Sequence, residues 1–340
     1  MQSPFVRFAL PLILLAAQMS LACGGLPEMT RGYEAQGDSP YVLVLGTAQD
    51  GGLPQIGCRQ VCCEAVREDS TQRRMVTSLL LVDPGSEQRW LFDASPDLPT
   101  QVERARGHVA PTRKEGAGRP PLFDGIFLTH AHVGHYTGLL HLGREAYGSG
   151  SIALHASPRM LDFLGQHGPW SLILKDGYLE PQALVPGQTL QLTPSLSVTA
   201  IPVPHREEFS DTVAFLIRGP ERALLYLPDI DKWDRWEHWE NQGPWRRSIE
   251  GVVAEVDFAL LDGTFFGDGE IPGRAMEDIP HPFISESLQR FASLPALERA
   301  KIFFTHLNHT NPAAIPGSSA QQTVQEAGMS VARERQVFEL

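Results

Sequence analysis

The chain is short of basic charge, short of thiols, and has no long apolar run beyond its first residues; each shortage narrows what it can do. Its 28 Lys and Arg are outnumbered by 40 Asp and Glu, for a formal charge of -12, and a polyanion such as nucleic acid would be repelled. The expected partner is a small-molecule substrate. Only four cysteines occur in 340 residues: Cys23, Cys58, Cys62 and Cys63. Adjacent Cys62 and Cys63 make a poor ordinary disulfide framework, so three thiols clustered this tightly point to a metal. No internal repeat is visible. What the chain does have is 42% hydrophobic residues, enough to bury a large α/β core.

The opening "MQSPFVRFALPLILLAAQMSLACGG" carries one cation, Arg7, then an apolar stretch from Phe8 to Met19 and small residues around Ala22 and Cys23. The stretch is too short to span a bilayer comfortably and reads as an export signal over residues 1–22. Cleavage before Cys23 would leave a cysteine for lipidation and membrane anchoring, as in bacterial lipoproteins. Ser20 stands where a larger apolar residue is usual, and simple cleavage or an uncleaved anchor are the alternatives. The expected location is therefore exported, periplasmic or membrane-anchored. A polar, glycine-rich linker follows over residues 23–39, and a single domain over 40–340.

Within that domain short apolar runs read as buried strands: 41–46, 77–83, 89–94, 125–130, 151–156, 197–203, 212–219, 223–229, 258–263 and 301–306. Helical candidates lie between them at 98–107, 136–148, 157–166 and 282–293. Several of the strands end in His or Asp, which predicts a layered α/β domain with its site at strand ends. Trp233, Trp236 and Trp239 recur every three residues in a segment running to Trp245. Such a stripe is expected to pack against the domain, with a substrate lid or a membrane-contacting surface as alternatives.

"LTHAHVGHYTGL" puts His130, His132 and His135 within six residues, directly after an apolar run. Neutral imidazoles ligate zinc, manganese or iron, and two histidines one residue apart at a strand end can face one ion. His205, Asp229 and His306 each follow a further strand. Singly, each has a bland explanation as a hydrogen-bonded histidine or a turn aspartate; together they make a ligand array. His108, His141, His155, His167 and His238 lack such company, and His281, in "EDIPHPF", is kept under watch.

"THAHVGHYTGL" resembles the His-x-His-x-Asp-His signature of the metallo-β-lactamase superfamily, with His205, Asp229 and His306 matching its later ligand positions in order. The resemblance implies an αββα sandwich with metals at one sheet edge. Within the superfamily, "LGTAQDGGLPQIGC", "LFDASPDL", "LLDGTFF", "GRAMEDIP" and "HLNHTNP" resemble segments of the coenzyme PQQ synthesis protein B family. A cyclic-phosphate phosphodiesterase of the phosphonate pathway is similar too, and pairs its dimetal centre with a cysteine-rich structural zinc site. That likeness implies a structural zinc on Cys58, Cys62, Cys63 and His309, although the cysteine spacing departs from the family's Cys-x-Cys-x-x-Cys.

The resemblance further implies one ion on His130, His132 and His205, and another on His135, Asp229 and His306. Asp229 would orient a metal-activated hydroxide attacking an ester, phosphodiester or amide, and His306 would help present the leaving group to a Lewis acid. The expected cofactor is zinc, one or two ions, with manganese or iron as alternatives. Gly134 stands where the signature has its aspartate, so the second ion is expected to be weakly held, with Glu207 or Glu208 as a compensating ligand and Gly134→Asp expected to tighten it. Two further readings stay open: iron-dependent oxidation of the kind that the PQQ resemblance implies, and a noncatalytic metal- or ligand-binding lipoprotein.

Overall fold

A computed structural model describes residues 38–108, 119–148, 150–240 and 248–340. The export signal, Cys23, nearly all of the linker, and Trp245 lie outside these residues. No helix among the described residues is long and apolar enough to cross a membrane.

Among the described residues fourteen strands form two sheets of seven. The first holds β1 (Tyr41–Gly46), β2 (Ser78–Asp83), β3 (Gln88–Phe92), β4 (Gly125–Phe127), β5 (Ile152–Ala156) and β6 (Leu179–Ala183) in sequence order, with β14 (Val337–Glu339) outside β1. The second holds β7 (Thr189–Gln191), β8 (Ser197–Val203), β9 (Thr212–Arg218), β10 (Ala223–Leu227), β11 (Phe258–Asp262), β12 (Ile302–Thr305) and β13 (Ser330–Val331), again in order. Pairing is antiparallel through β1, β2 and β3 but parallel from β3 to β6 and from β10 to β13.

The layering follows from strand parity. Val42 and Val44 of β1 face the apolar layer between the sheets, while Leu43 and Leu45 face the helices outside. In the second sheet Phe215 and Ile217 enter the shared layer, and Ala214 and Leu216 face outward. Successive side chains point to opposite faces, so a strand buried on both reads as a continuous apolar run rather than an alternating one. Helices Leu98–Arg104, Pro158–Gln166 and Trp170–Lys175 cover the first sheet; Ile249–Ala254, Ile284–Phe291 and Ser319–Glu326 cover the second. The result is the αββα sandwich that the resemblance implies.

Trp233 and Trp236 are buried in the outer layer of the second sheet, and the partly buried Trp239 packs against it. The tryptophan stripe is core. Two predicted strands stop early where functional residues begin: β4 ends at Phe127, short of His130, and β10 at Leu227, short of Asp229. Beyond β4 the Thr129 amide donates to the Asp93 carboxylate rather than to a neighbouring strand, which turns the histidines out of the ladder.

Candidate metal centre

Strands of both sheets deliver their carboxyl ends to one place. Asp93 follows β3, His130 lies just beyond β4, His205 beyond β8, Asp229 beyond β10, Asp262 ends β11 and His306 follows β12. His306 and Asp93 both have left-handed backbones, φ 60° and 61°, a conformation that costs a non-glycine residue energy and persists where surroundings enforce it.

All six predicted ligands meet. His130, His132 and His205 form one donor triplet, His130, His135 and Asp229 another, with donor atoms within 4.8 Å of one another. Asp229 lies between the two histidine sets: Oδ2 is 2.9 Å from His135 Nε2, 3.2 Å from His306 Nε2 and 3.6 Å from His130 Nε2, while Oδ1 is 3.6 Å from His205 Nε2.

Each ring is fixed from behind. His135 Nδ1 donates to Asp93 at 2.7 Å, His205 Nδ1 to Asp231 at 3.2 Å, His306 Nδ1 to the Thr264 hydroxyl at 2.9 Å, and His130 Nδ1 to the Thr129 hydroxyl at 2.9 Å. Those bonds leave each Nε2 facing inward, the orientation a metal needs. His132 is reversed: its Nδ1 faces His130 Nε2 at 2.8 Å and its Nε2 meets Glu208 at 3.3 Å. Glu208 therefore backs the first histidine set, and Glu207 pairs with Arg159 at 3.7 Å. Neither compensates at the second, contrary to the expectation from sequence.

This donor set fits cations. Among the described residues, His135 Nε2, His205 Nε2, His306 Nε2, Asp229 Oδ2 and Asp50 Oδ1 are buried without a hydrogen-bond partner, although leaving one such atom unpaired costs about 1–3 kcal/mol. Charge says the same. Burial and the neighbouring His135 hold His130 far below its usual value, and burial takes His132 down to about 4, so both are neutral ligands at pH 7. Burial opposes ionisation of Asp229, yet His306 and His135 hold it well below the carboxylate range. His135 is driven the other way: burial is overridden by Asp93 and Asp229, so the cluster draws a proton onto that ring. A buried group of carboxylates demands positive charge, and a divalent ion satisfies it better than one proton.

Two residues were not among the predicted ligands. Asp50, four residues past β1, puts Oδ1 3.6 Å from His135 Nε2 and 3.9 Å from His306 Nε2, and the three form a donor triplet. Its only sequence signal is an acidic residue in the glycine-rich turn "QDGG". His281 forms a triplet with His205 and Asp229, bonds Asp262 at 2.7 Å, and is raised to about 9 because Asp262 and Asp229 overcome burial.

The second expected site is also assembled. Cys58, Cys63 and His309 form a donor triplet, with donor atoms within 4.8 Å. Cys62 is adjacent to both other cysteines but is not in that triplet, so the four-ligand set expected from the resemblance is three-membered here. Burial pushes the Cys63 thiol up to about 12, and His309 Nδ1 faces Asn308 Oδ1 at 3.0 Å, which leaves Nε2 for a ligand. His108, His141, His155, His167 and His238 join no such cluster among the described residues.

Comparison with known proteins bears on this geometry. Coenzyme PQQ synthesis protein B of Methylorubrum extorquens (strain PA1) is 27% identical over 319 residues, covering 88% of this chain and 100% of the relative. The same protein of Klebsiella pneumoniae (strain 342) is 28% identical over 315 residues, covering 86% and 95%. The crystal structure of Zn(2+)-bound PqqB from Methylobacterium extorquens superposes with a TM-score of 0.69 at 24% identity, covering 88% of this chain and all of that one. A diphosphatase from the PhnP family gives 0.60 at 18% identity, covering 88% and 97%. Residues 88–307 match the β-lactamase superfamily domain, a span that includes every predicted active-site ligand from His130 to His306. With its two seven-stranded sheets and its ligands in strand-end order, the chain belongs to the β-lactamase superfamily.

Proposed function

We propose that the protein is a metal-dependent hydrolase acting on an ester or phosphodiester bond of a small molecule, with two ions held by the histidines and Asp229. The observation that carries this reading is the convergence of five buried, unpartnered donor atoms on one point, with Asp229 reaching both histidine sets. His130, His132 and His205 would hold one ion, His135 and His306 the other, and Asp229 would touch both. When bound, divalent ions supply Lewis acidity and bring the pKa of coordinated water close to 7. The chain's own residues do the rest. Asp93, Asp231, Thr129 and Thr264 keep each ring in register, and the 2% exposed Asp229 carboxylate keeps a negative charge in a site from which water is largely excluded. His281, outside the six predicted ligands, bonds Asp262 at 2.7 Å with the same Nδ1 3.6 Å from Asp229 Oδ1, where it would hold Asp262 and the edge of the site in place.

A second reading, oxidation at an iron site, rests on the likeness to coenzyme PQQ synthesis protein B along 88% of the chain. Purified full-length chain, loaded with zinc or manganese and assayed on bis(p-nitrophenyl) phosphate and a simple lactone, separates the two. Metal-dependent turnover abolished by Asp229→Asn supports hydrolysis. Co-purifying iron with oxygen consumption and no hydrolysis supports the second reading, and ions without either activity support a binding protein. Export, with anchoring through Cys23, is supported by Arg7 and the apolar residues 8–19; membrane fractions that lose the protein on Cys23→Ser would test it.

A further inference from the structure

The glycine at position 134 is explained by what fills its space. A Cβ built on Gly134 would lie 2.1 Å from Asp50 Oδ1, 2.9 Å from Asp50 Cα and 3.0 Å from Asp50 Cγ. Its φ is not in the left-handed region, so no backbone requirement explains the missing side chain. The carboxylate of Asp50 lies where a side chain at 134 would begin.

We infer that Asp50 supplies the carboxylate of the second metal position, delivered from the loop after β1 into room that Gly134 vacates. This rests on the dimetal reading of the site and changes one expectation about it: the second ion has a full ligand set, Asp50, His135, His306 and Asp229, instead of a depleted one.

Three observations carry it. Asp50 Oδ1 is buried and has no hydrogen-bond partner, with the inward nitrogens of His135 and His306 at 3.6 and 3.9 Å. Those separations exceed a hydrogen bond and suit two donors facing a common ion. The loop is also held firmly against the strand end that carries His306. Gln49 N donates to Leu307 O at 2.9 Å, Leu307 N donates to Thr47 O at 2.8 Å, and Ala48 pairs with both Leu307 and Val76. Asp50 is thus one residue from a backbone clamp on the neighbour of a ligand, and Gly52, at φ 66°, makes the turn behind it. Its buried Oδ1, held there without a partner, is costly unless a cation completes it.

The same geometry reverses the expectation for Gly134→Asp. A new side chain there would collide with Asp50, so alone it should loosen the site; combined with Asp50→Gly it exchanges the two positions and should restore the ion. The experiment measures metal per chain by elemental analysis, and zinc affinity by competition with a chelator, in the full chain and in Asp50→Ala, Gly134→Asp and Asp50→Gly/Gly134→Asp. Circular dichroism on each variant checks folding. The expected result is two active-site ions in the wild type besides that of the cysteine cluster, one tight ion in Asp50→Ala with affinity for the other down ~100-fold, a weakened second ion in Gly134→Asp, and recovery in the double variant. The coupling between the two positions is the readout that a merely structural Asp50 would not produce. Asp50→Ala with both ions bound as tightly as in the wild type would overturn the inference and leave the dimetal reading intact. A wild type holding no ion at the histidines would overturn both.

Discussion

The histidine-aspartate cluster and the cysteine cluster lie at the two ends of one loop, from Asp50 to Cys63, and are built on opposite principles. In the first, rings are locked from behind by Asp93, Asp231 and the threonines, and their inward nitrogens are neutral or balanced by buried carboxylates. In the second, two of the three cysteines are partly exposed, and the Cys63 thiol is pushed up to about 12 by burial. At Cys63 the ligand state must be made by an ion that displaces the proton, whereas at Cys58 burial is outweighed by hydrogen bonds from the Gln60 backbone and the neighbouring cysteines, which hold that thiol below its usual range. On the proposed reading the two clusters divide the work: the histidine site would use its ions for chemistry, and the cysteine site would use its ion to close a loop.

That contrast can be broken most strongly at Asp229. Asp229→Asn removes the carboxylate that, among the described residues, reaches both histidine sets, so hydrolysis should fall by ~10³-fold with loss of both active-site ions. The zinc of the cysteine cluster and the circular dichroism spectrum should be unchanged. Cys63→Ser should do the converse. It should lower the metal content by one and the stability by about 3 kcal/mol at zinc levels a hundredfold above the site's affinity. Turnover should fall less, and only through a loosened Asp50 loop; an unchanged melting temperature would contradict a structural role.

A smaller effect is expected at Asp93→Asn, which keeps the shape but weakens the bond to His135. Affinity at the second metal position should fall ~10 to 100-fold, with a smaller fall at the first, whose His130 meets Asp93 only through Thr129. The smallest test concerns a histidine outside both clusters. Burial holds His155, stacked on Phe127 with ring centroids 4.6 Å apart, down to about 4, against 6.5 in the unfolded chain. Below 6.5 the unfolded state takes up a proton that the folded state refuses, so this stability is full at neutral pH and declines as pH falls toward 4. His155→Asn should flatten the difference between melts at pH 7 and pH 5 without altering metal content.

Much of this architecture is readable in the chain itself. Ten strands are visible as apolar runs because the sandwich buries them on both faces, and the ligands stand out because they directly follow those runs. β6, with one buried residue followed by four exposed ones, and the short β7, β13 and β14 carry too little apolar signal to be seen. Gly134 was legible as a missing carboxylate, but its replacement was not: Asp50 lies 84 residues upstream in the sequence, in a turn where acidic residues are ordinary. Only the backbone pairing of Ala48 with Leu307 shows that this turn abuts the end of β12. Which of the three thiols would face an ion is not legible in the sequence either: helix Val61–Glu68 carries adjacent residues on different sides, burying Cys63 and leaving Cys62 partly exposed.

The central claim is a complete two-ion centre whose second carboxylate comes from Asp50. A crystal structure of the zinc-loaded full chain, with anomalous scattering recorded on both sides of the zinc edge, tests it directly. Two peaks are expected within the histidine cluster, one of them bonded to an Asp50 oxygen as well as His135 and His306, and a third peak at Cys58, Cys63 and His309. A single peak at His130, His132 and His205, with Asp50 turned away from His135, would contradict it.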